Sequence, residues 1–191
     1  MRGTVPVLLA SLALAACDGG PTPEKAATRQ ALVGAHVASA AVSHLVSRYA
    51  EMLGSPATDD TAPVAWEAVA PYRQSPEGLA EAAFLGELAR PVPVEPSFTR
   101  AKDIEAVGRA TSDLVNLALA PAGSWQEFSQ GIAASRGRLD AAVAALEKGT
   151  KSYVLIDVRQ ETNMQTASYT EMLAKAKADA AALAPGAAPA P

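Results

Sequence analysis

Residues 124–149, SWQEFSQGIAASRGRLDAAVAALEKG, decide the fold class. Ser124 and Glu127 stand three apart, the spacing at which a serine side chain takes a free amide of the first turn while the glutamate reaches back to the serine's own. Behind this start, Trp125, Phe128, Ile132, Ser135, Leu139, Val143 and Leu146 recur at alternate steps of three and four, which on a 3.6-residue helix is one continuous stripe. Gly149 follows the last turn, where glycine commonly ends a helix. The spacing predicts one long amphipathic helix, and a helix with one apolar face needs other helices to cover it.

Working upstream, Pro121 stops a helix that runs from near Ser97 to Ala120 and carries Ile104, Val107, Thr111, Leu114 and Leu117 inward. Before it, Pro91-Val92-Pro93-Val94-Glu95-Pro96 forces an extended connection. Ser75-Pro76-Glu77 opens a shorter helix reaching about Arg90, with a capping serine, proline in the first turn and an acid at the positive end of the dipole. Val64 to Ala70 is expected to manage one or two turns before Pro71 breaks it, and residues 54–63 (GSPATDDTAP) are a polar loop. From Glu24 to Leu53, Leu32, Ala35, Ser39, Val42, Val46, Tyr49 and Leu53 form another seam.

Downstream, Tyr153-Val154-Leu155-Ile156-Asp157-Val158 has the β-branched composition of a strand, but a lone strand has nothing to pair with. It is assigned to the start of a last helix that continues through Tyr169, Met172, Leu173, Ala176, Ala180 and Leu183. The expected fold is all-α: an antiparallel helical bundle of four long helices plus one shorter helix, spanning residues 24–184. Pro185 to Pro191 (PGAAPAP) is expected to be a disordered tail.

Composition agrees with helix. Hydrophobic residues make up 49% of the 191 and aromatics only 5%, so the apolar content is largely aliphatic and alanine, which favours helix over sheet. A formal net charge of −4 leaves no basic surface to neutralise phosphates, so nucleic acid is not expected as a partner. The single cysteine, Cys17, excludes an internal disulfide.

That cysteine closes a distinctive segment. Met1 and Arg2 give a short positive start, and Val5 to Ala16 give about a dozen apolar residues, a signal-peptide length where a bilayer-spanning helix needs about 20. The run ends in Leu14-Ala15-Ala16-Cys17, which resembles the lipobox of bacterial lipoproteins: a large aliphatic residue, two small ones and a cysteine. The resemblance implies cleavage between Ala16 and Cys17, a diacylglyceryl thioether on Cys17, and acylation such as palmitate at the new amino terminus. It implies a signal peptide at 1–16, an acylated cysteine and flexible lipid tether at 17–23, and a domain facing the periplasm from the cell membrane or outer membrane. In some members of the family an aspartate directly after the lipidated cysteine retains the protein in the inner membrane, and Asp18 stands there. Loss of residues 1–16 leaves 191 − 16 = 175 residues, and loss of Arg2 takes the charge to −5.

The remaining chemistry-bearing residues are sparse. His36 and His44 lie eight apart on one helix, about 12 Å along the axis and about 80° around it, so they cannot clasp one ion. Zinc needs three or four converging ligands, and no metal or cofactor is expected. Non-covalent haem would need one of these histidines with Met52, Met164 or Met172, and no pair stands out. Gly149-Thr150-Lys151-Ser152 has Thr150 and Ala145 where a phosphate-binding loop has glycine, and Asp59-Asp60 lacks the closing acid of a calcium loop. No Gly-x-Ser-x-Gly occurs, and the chain is not expected to be an enzyme. Trp66 and Trp125 are the candidate anchors for a partner. The expected function is a membrane-anchored envelope lipoprotein acting through protein contacts with an envelope partner; the rival class is a bundle that binds haem, a metal or an apolar molecule, and replacing both histidines by alanine should be silent under the first.

Overall fold

The computed structural model describes residues 22–54 and 63–183. The expected signal peptide at 1–16, Cys17 and the expected tether as far as Pro21, the loop carrying Asp59-Asp60, and the tail from residue 184 lie outside the described residues. Within them every regular element is a helix, with one isolated bridge between Pro63 and Ser124. No helix among the described residues is long and apolar enough to cross a membrane.

The reciprocal cap forms as its spacing demands. Ser124 Oγ accepts the Glu127 amide at 3.1 Å, and Glu127 Oε2 accepts the Ser124 amide at 2.9 Å. The helix that follows, α5 (Trp125–Lys148), buries all seven seam residues. Gly149 is its C-cap, as expected. Its φ of −100° is open to any residue, and the Arg100 guanidinium lies over the space that a Cβ there would enter.

The other boundaries follow the proline and serine signals, with two corrections. Pro71 does not break a helix: a 3-10 turn at Trp66–Val69 runs straight into α2 (Ala70–Gln74), which holds Pro71 in its first turn, where a missing N–H costs nothing. Ser75 then caps α3 (Pro76–Leu88) by accepting the Gly78 amide. The helix expected from Ser97 begins later, as α4 (Ala101–Leu119). Arg100 stands outside it because its N–H donates to Glu24 Oε1 at 2.7 Å and its guanidinium donates to the carbonyls of Ala145 and Leu146. A tertiary bond therefore sets this start.

The long first helix, α1 (Pro23–Met52), is central. Besides Leu32, Ala35, Val42 and Tyr49 of the expected seam, it buries Ala27, Ala31, Val33, Val37, Ala38, Ala41 and Leu45, so neighbours cover more than one of its faces. Its alanines let those neighbours approach closely. The strand-like run at 153–158 lies inside the last helix, α6 (Ser152–Leu183), with Val154 and Val158 buried one turn apart. Against α6, α1 places Lys25 over the Tyr153 ring, Arg29 on Glu161 and His44 on Tyr169. Against α5, it places His36 near Glu147 and Ser43 on Arg136.

Candidate functional site

Where α1, α2, α3 and α6 meet, a carboxylate is sealed from water. Glu81 is fully buried, the only acid or base among the described residues to be so. The inward stripe of α3 consists of Gly78, Glu81 and Leu85, so a charge occupies a position whose neighbours on the helix face the core.

Three donors surround it. The Tyr72 hydroxyl donates to Oε2 at 2.5 Å, the Tyr169 hydroxyl donates to Oε1, and His44 Nδ1 lies 2.8 Å from Oε1. Hydrogen bonds to an ionised acceptor are about twice as strong as neutral ones, and a buried carboxylate requires them. Packing fixes the donors in turn. Phe84 stacks on Tyr169 with ring centroids 5.0 Å apart, the His44 ring meets Tyr169 edge-on, and the Arg48 guanidinium lies 5.3 Å from the Tyr72 ring centre. A Cβ on Gly78 would come within 2.1 Å of the Tyr72 carbonyl oxygen, so only glycine lets α2 lie this close to α3. Burial, then the hydrogen bond to Glu81 and its charge, push both the Tyr72 and the Tyr169 hydroxyl far above the ordinary tyrosine range. Both remain donors at any physiological pH.

The geometry also sets the state of His44. With Nδ1 facing a carboxylate that accepts, the ring proton belongs on Nδ1, which leaves Nε2 on a side chain that is 38% exposed. A carboxylate-held imidazole is the arrangement that prepares a general base, but a base needs a group to act on. The serines on either side of it in the chain are engaged: Ser43 donates to the Ser39 carbonyl and Ser47 to the Ser43 carbonyl. The cluster works as a tie between four helices.

His36 is separate from it. Its Nε2 lies 3.4 Å from Glu147 Oε1, linking α1 to α5. No group of three His, Cys, Asp or Glu side chains among the described residues could hold a metal ion. His44 joins the Glu81 network while its side chain stays 38% exposed, and His36 lies outside that network.

The two tryptophans come together at one spot. Trp66 and Trp125 lie 6.2 Å apart by ring centroid, with Phe128 and Tyr49 completing the cluster. Trp66 Nε1 donates to the Gly123 carbonyl at 2.9 Å. Gly123 adopts a φ of +75°, which glycine takes without strain, and this turn delivers the start of α5 to the 3-10 turn. Trp125 is buried, while Trp66 keeps part of its ring accessible.

Sequence reasoning missed Glu81, Tyr72 and Tyr169. The available signal was a glutamate three residues after a buried-type glycine and four before a core leucine. No protein-family model, characterised protein or solved structure matches this chain.

Proposed function

We propose that the chain is a lipid-anchored lipoprotein of the cell envelope whose helical domain acts through protein contacts, without catalysis of its own. The observation that carries this is Leu14-Ala15-Ala16-Cys17 closing an apolar run, with the α1 cap at Thr22 only five residues beyond the cysteine. Small residues at 15 and 16 suit a peptidase groove, and only a thiol makes the thioether. At about 0.8 kcal/mol per buried methylene, two or three acyl chains hold a protein durably.

A non-catalytic role is supported by how the polar groups are used, since the Glu81 oxygens are taken by Tyr72, Tyr169 and His44. We read the architecture as an up-and-down bundle in which α1, α4 and α6 point one way and α3 and α5 the other. The ascending pairs Lys25–Tyr153, Arg29–Glu161 and His44–Tyr169 support this, as do the descending pairs His36–Glu147 and Ser43–Arg136. Leu79 on α3 and Met164 on α6 are 58% and 63% exposed and offer apolar contacts to an envelope partner, together with the accessible edge of Trp66.

Absorbance and native mass of the protein extracted from host membranes test this reading. A colourless protein whose native mass includes a second polypeptide is expected. A Soret band, or a bound metal or small molecule at one per chain, would replace it with the ligand-binding class.

A further inference from the structure

Four of the six lysines of the chain, Lys25, Lys102, Lys148 and Lys151, gather at one end of the bundle. Lys25 is the third residue of α1, Lys102 the second of α4, Lys148 the last of α5, and Lys151 directly precedes α6. Arg100 ties these ends together through Glu24 and the carbonyls of Ala145 and Leu146. Two of the lysines, Lys25 and Lys151, line a cleft of about 280 Å³ together with Glu24, Arg100, Gly149 and Tyr153.

Local helix physics argues against this placement. A cation in or just before a first turn faces the positive end of the helix dipole and is unfavourable there. Lys25, Lys102 and Lys151 all stand so, and such departures from local preference concentrate where function requires them. Acids share this end with the lysines: Asp103 is paired with the Arg100 guanidinium at 2.7 Å, while Glu24, which accepts the Arg100 N–H and keeps its charge, and Glu147 offset part of theirs. Asp157 stays exposed nearby. Beside the lysines, Tyr153 and Ile156 on the first turns of α6 are 49% and 57% exposed. A lysine ring around an exposed tyrosine and isoleucine is the composition of a surface that lies on lipid headgroups.

We propose that this end of the bundle docks on the anionic headgroups of the membrane that holds the anchor, with Tyr153 and Ile156 entering the interface and the four lysines facing lipid phosphates. The inference rests on the lipoprotein reading. Its geometric basis is the tether: from Cys17 to Thr22 there are five Cα steps, at most about 18 Å fully extended. The α1 end therefore cannot leave the surface by much more than two Debye lengths of about 8 Å, and it is the lysine-bearing end that is held there. Docking fixes the orientation of the domain, pointing the Trp66 end of the bundle away from the membrane.

The test uses acylated protein purified from host membranes and reconstituted through its own anchor. An environment-sensitive dye is placed on Ile156→Cys, or on Lys177→Cys as a control some 32 Å further along α6. Vesicles are phosphatidylcholine alone or with about one-third phosphatidylglycerol. Flotation reports the anchor, and dye emission reports docking. The expected result is flotation with both lipids, a blue shift at position 156 in anionic vesicles only, and none at 177. Replacing the four lysines by glutamine should abolish the shift, each contributing about fivefold to the docked population, and about 0.5 M salt should reverse it. Flotation with a water-like dye at 156 in both lipids would overturn the docking while the anchor stands, as would a shift produced only on adding a soluble protein. Failure to float, with an unlipidated mass, would remove the anchor and this proposal with it.

Discussion

Replacing Glu81 by leucine removes the acceptor and leaves its donors behind. Tyr72 and Tyr169 are 6% and 5% exposed and cannot turn to water, whereas His44, at 38% side-chain exposure, can. Two stranded hydroxyls at about 1–3 kcal/mol each give roughly 2–6 kcal/mol, in line with the about 3–5 kcal/mol lost when one partner of a buried charged network is deleted. For a domain of this size, about 1 kcal/mol moves Tm by about 2–4 °C, so Glu81→Leu should lower it by roughly 8–16 °C at the middle of that range. Circular dichroism melts and urea titrations of the wild type and variant measure this. The decisive comparison is the triple variant Glu81→Leu, Tyr72→Phe, Tyr169→Phe. With no donors left stranded, it should recover most of the loss, because replacing all partners by apolar groups of similar shape is nearly neutral. A single-variant loss below about 1 kcal/mol, or a triple variant no more stable than the single one, would refute the cluster as the tie between α1, α2, α3 and α6.

Gly78→Ala drives a methyl into the Tyr72 carbonyl and should cost at least about 2 kcal/mol in the same urea titration, although alanine is the better helix former by about 1 kcal/mol. His44→Ala should destabilise measurably, by about 1 kcal/mol, where His36→Ala, which loses only an exposed contact with Glu147, should not; equal effects would contradict the assignment. The raised hydroxyls of Tyr72 and Tyr169 give an alkaline signature. In the unfolded chain they lose protons near pH 10, and in the folded one only well above it. The folded state therefore binds more protons above pH 10, and this part of the stability is complete below pH 10 and declines as pH rises past it. Absorbance at 295 nm should show Tyr153, whose hydroxyl is pulled down by the neighbouring Lys25 ammonium, titrating first, and Tyr72 and Tyr169 only as the protein unfolds.

What could be read from the sequence was whatever depends on neighbours in the chain. The Ser124–Glu127 cap, the α5 seam and the Ser75-Pro76 start are short-range devices, and each forms where its spacing places it. The 153–158 run shows the same from the other side: its strand-like composition yields to helix because Val154 and Val158, four apart, can both face the core. The start of α4 was misplaced because Arg100 answers to Glu24 and to two carbonyls of α5, partners 45 or more residues away. Pro71 was misjudged because proline ends one helix and begins another with equal ease. The buried cluster was hidden for the same reason as Arg100. Its members lie on four elements, and only the anomaly of a glutamate on the inner stripe of α3 marked it beforehand.

The central claim is that Cys17 carries lipid and holds the domain to a membrane. Intact mass of the protein extracted from membranes of its native host, beside the Cys17→Ser variant, tests it directly. The mass of residues 17–191 plus two or three acyl chains, lost on substitution with the variant released from the membrane or left uncleaved, is the result expected. An unlipidated mass, or a soluble protein cleaved elsewhere, would contradict it and leave a freely diffusing helical domain.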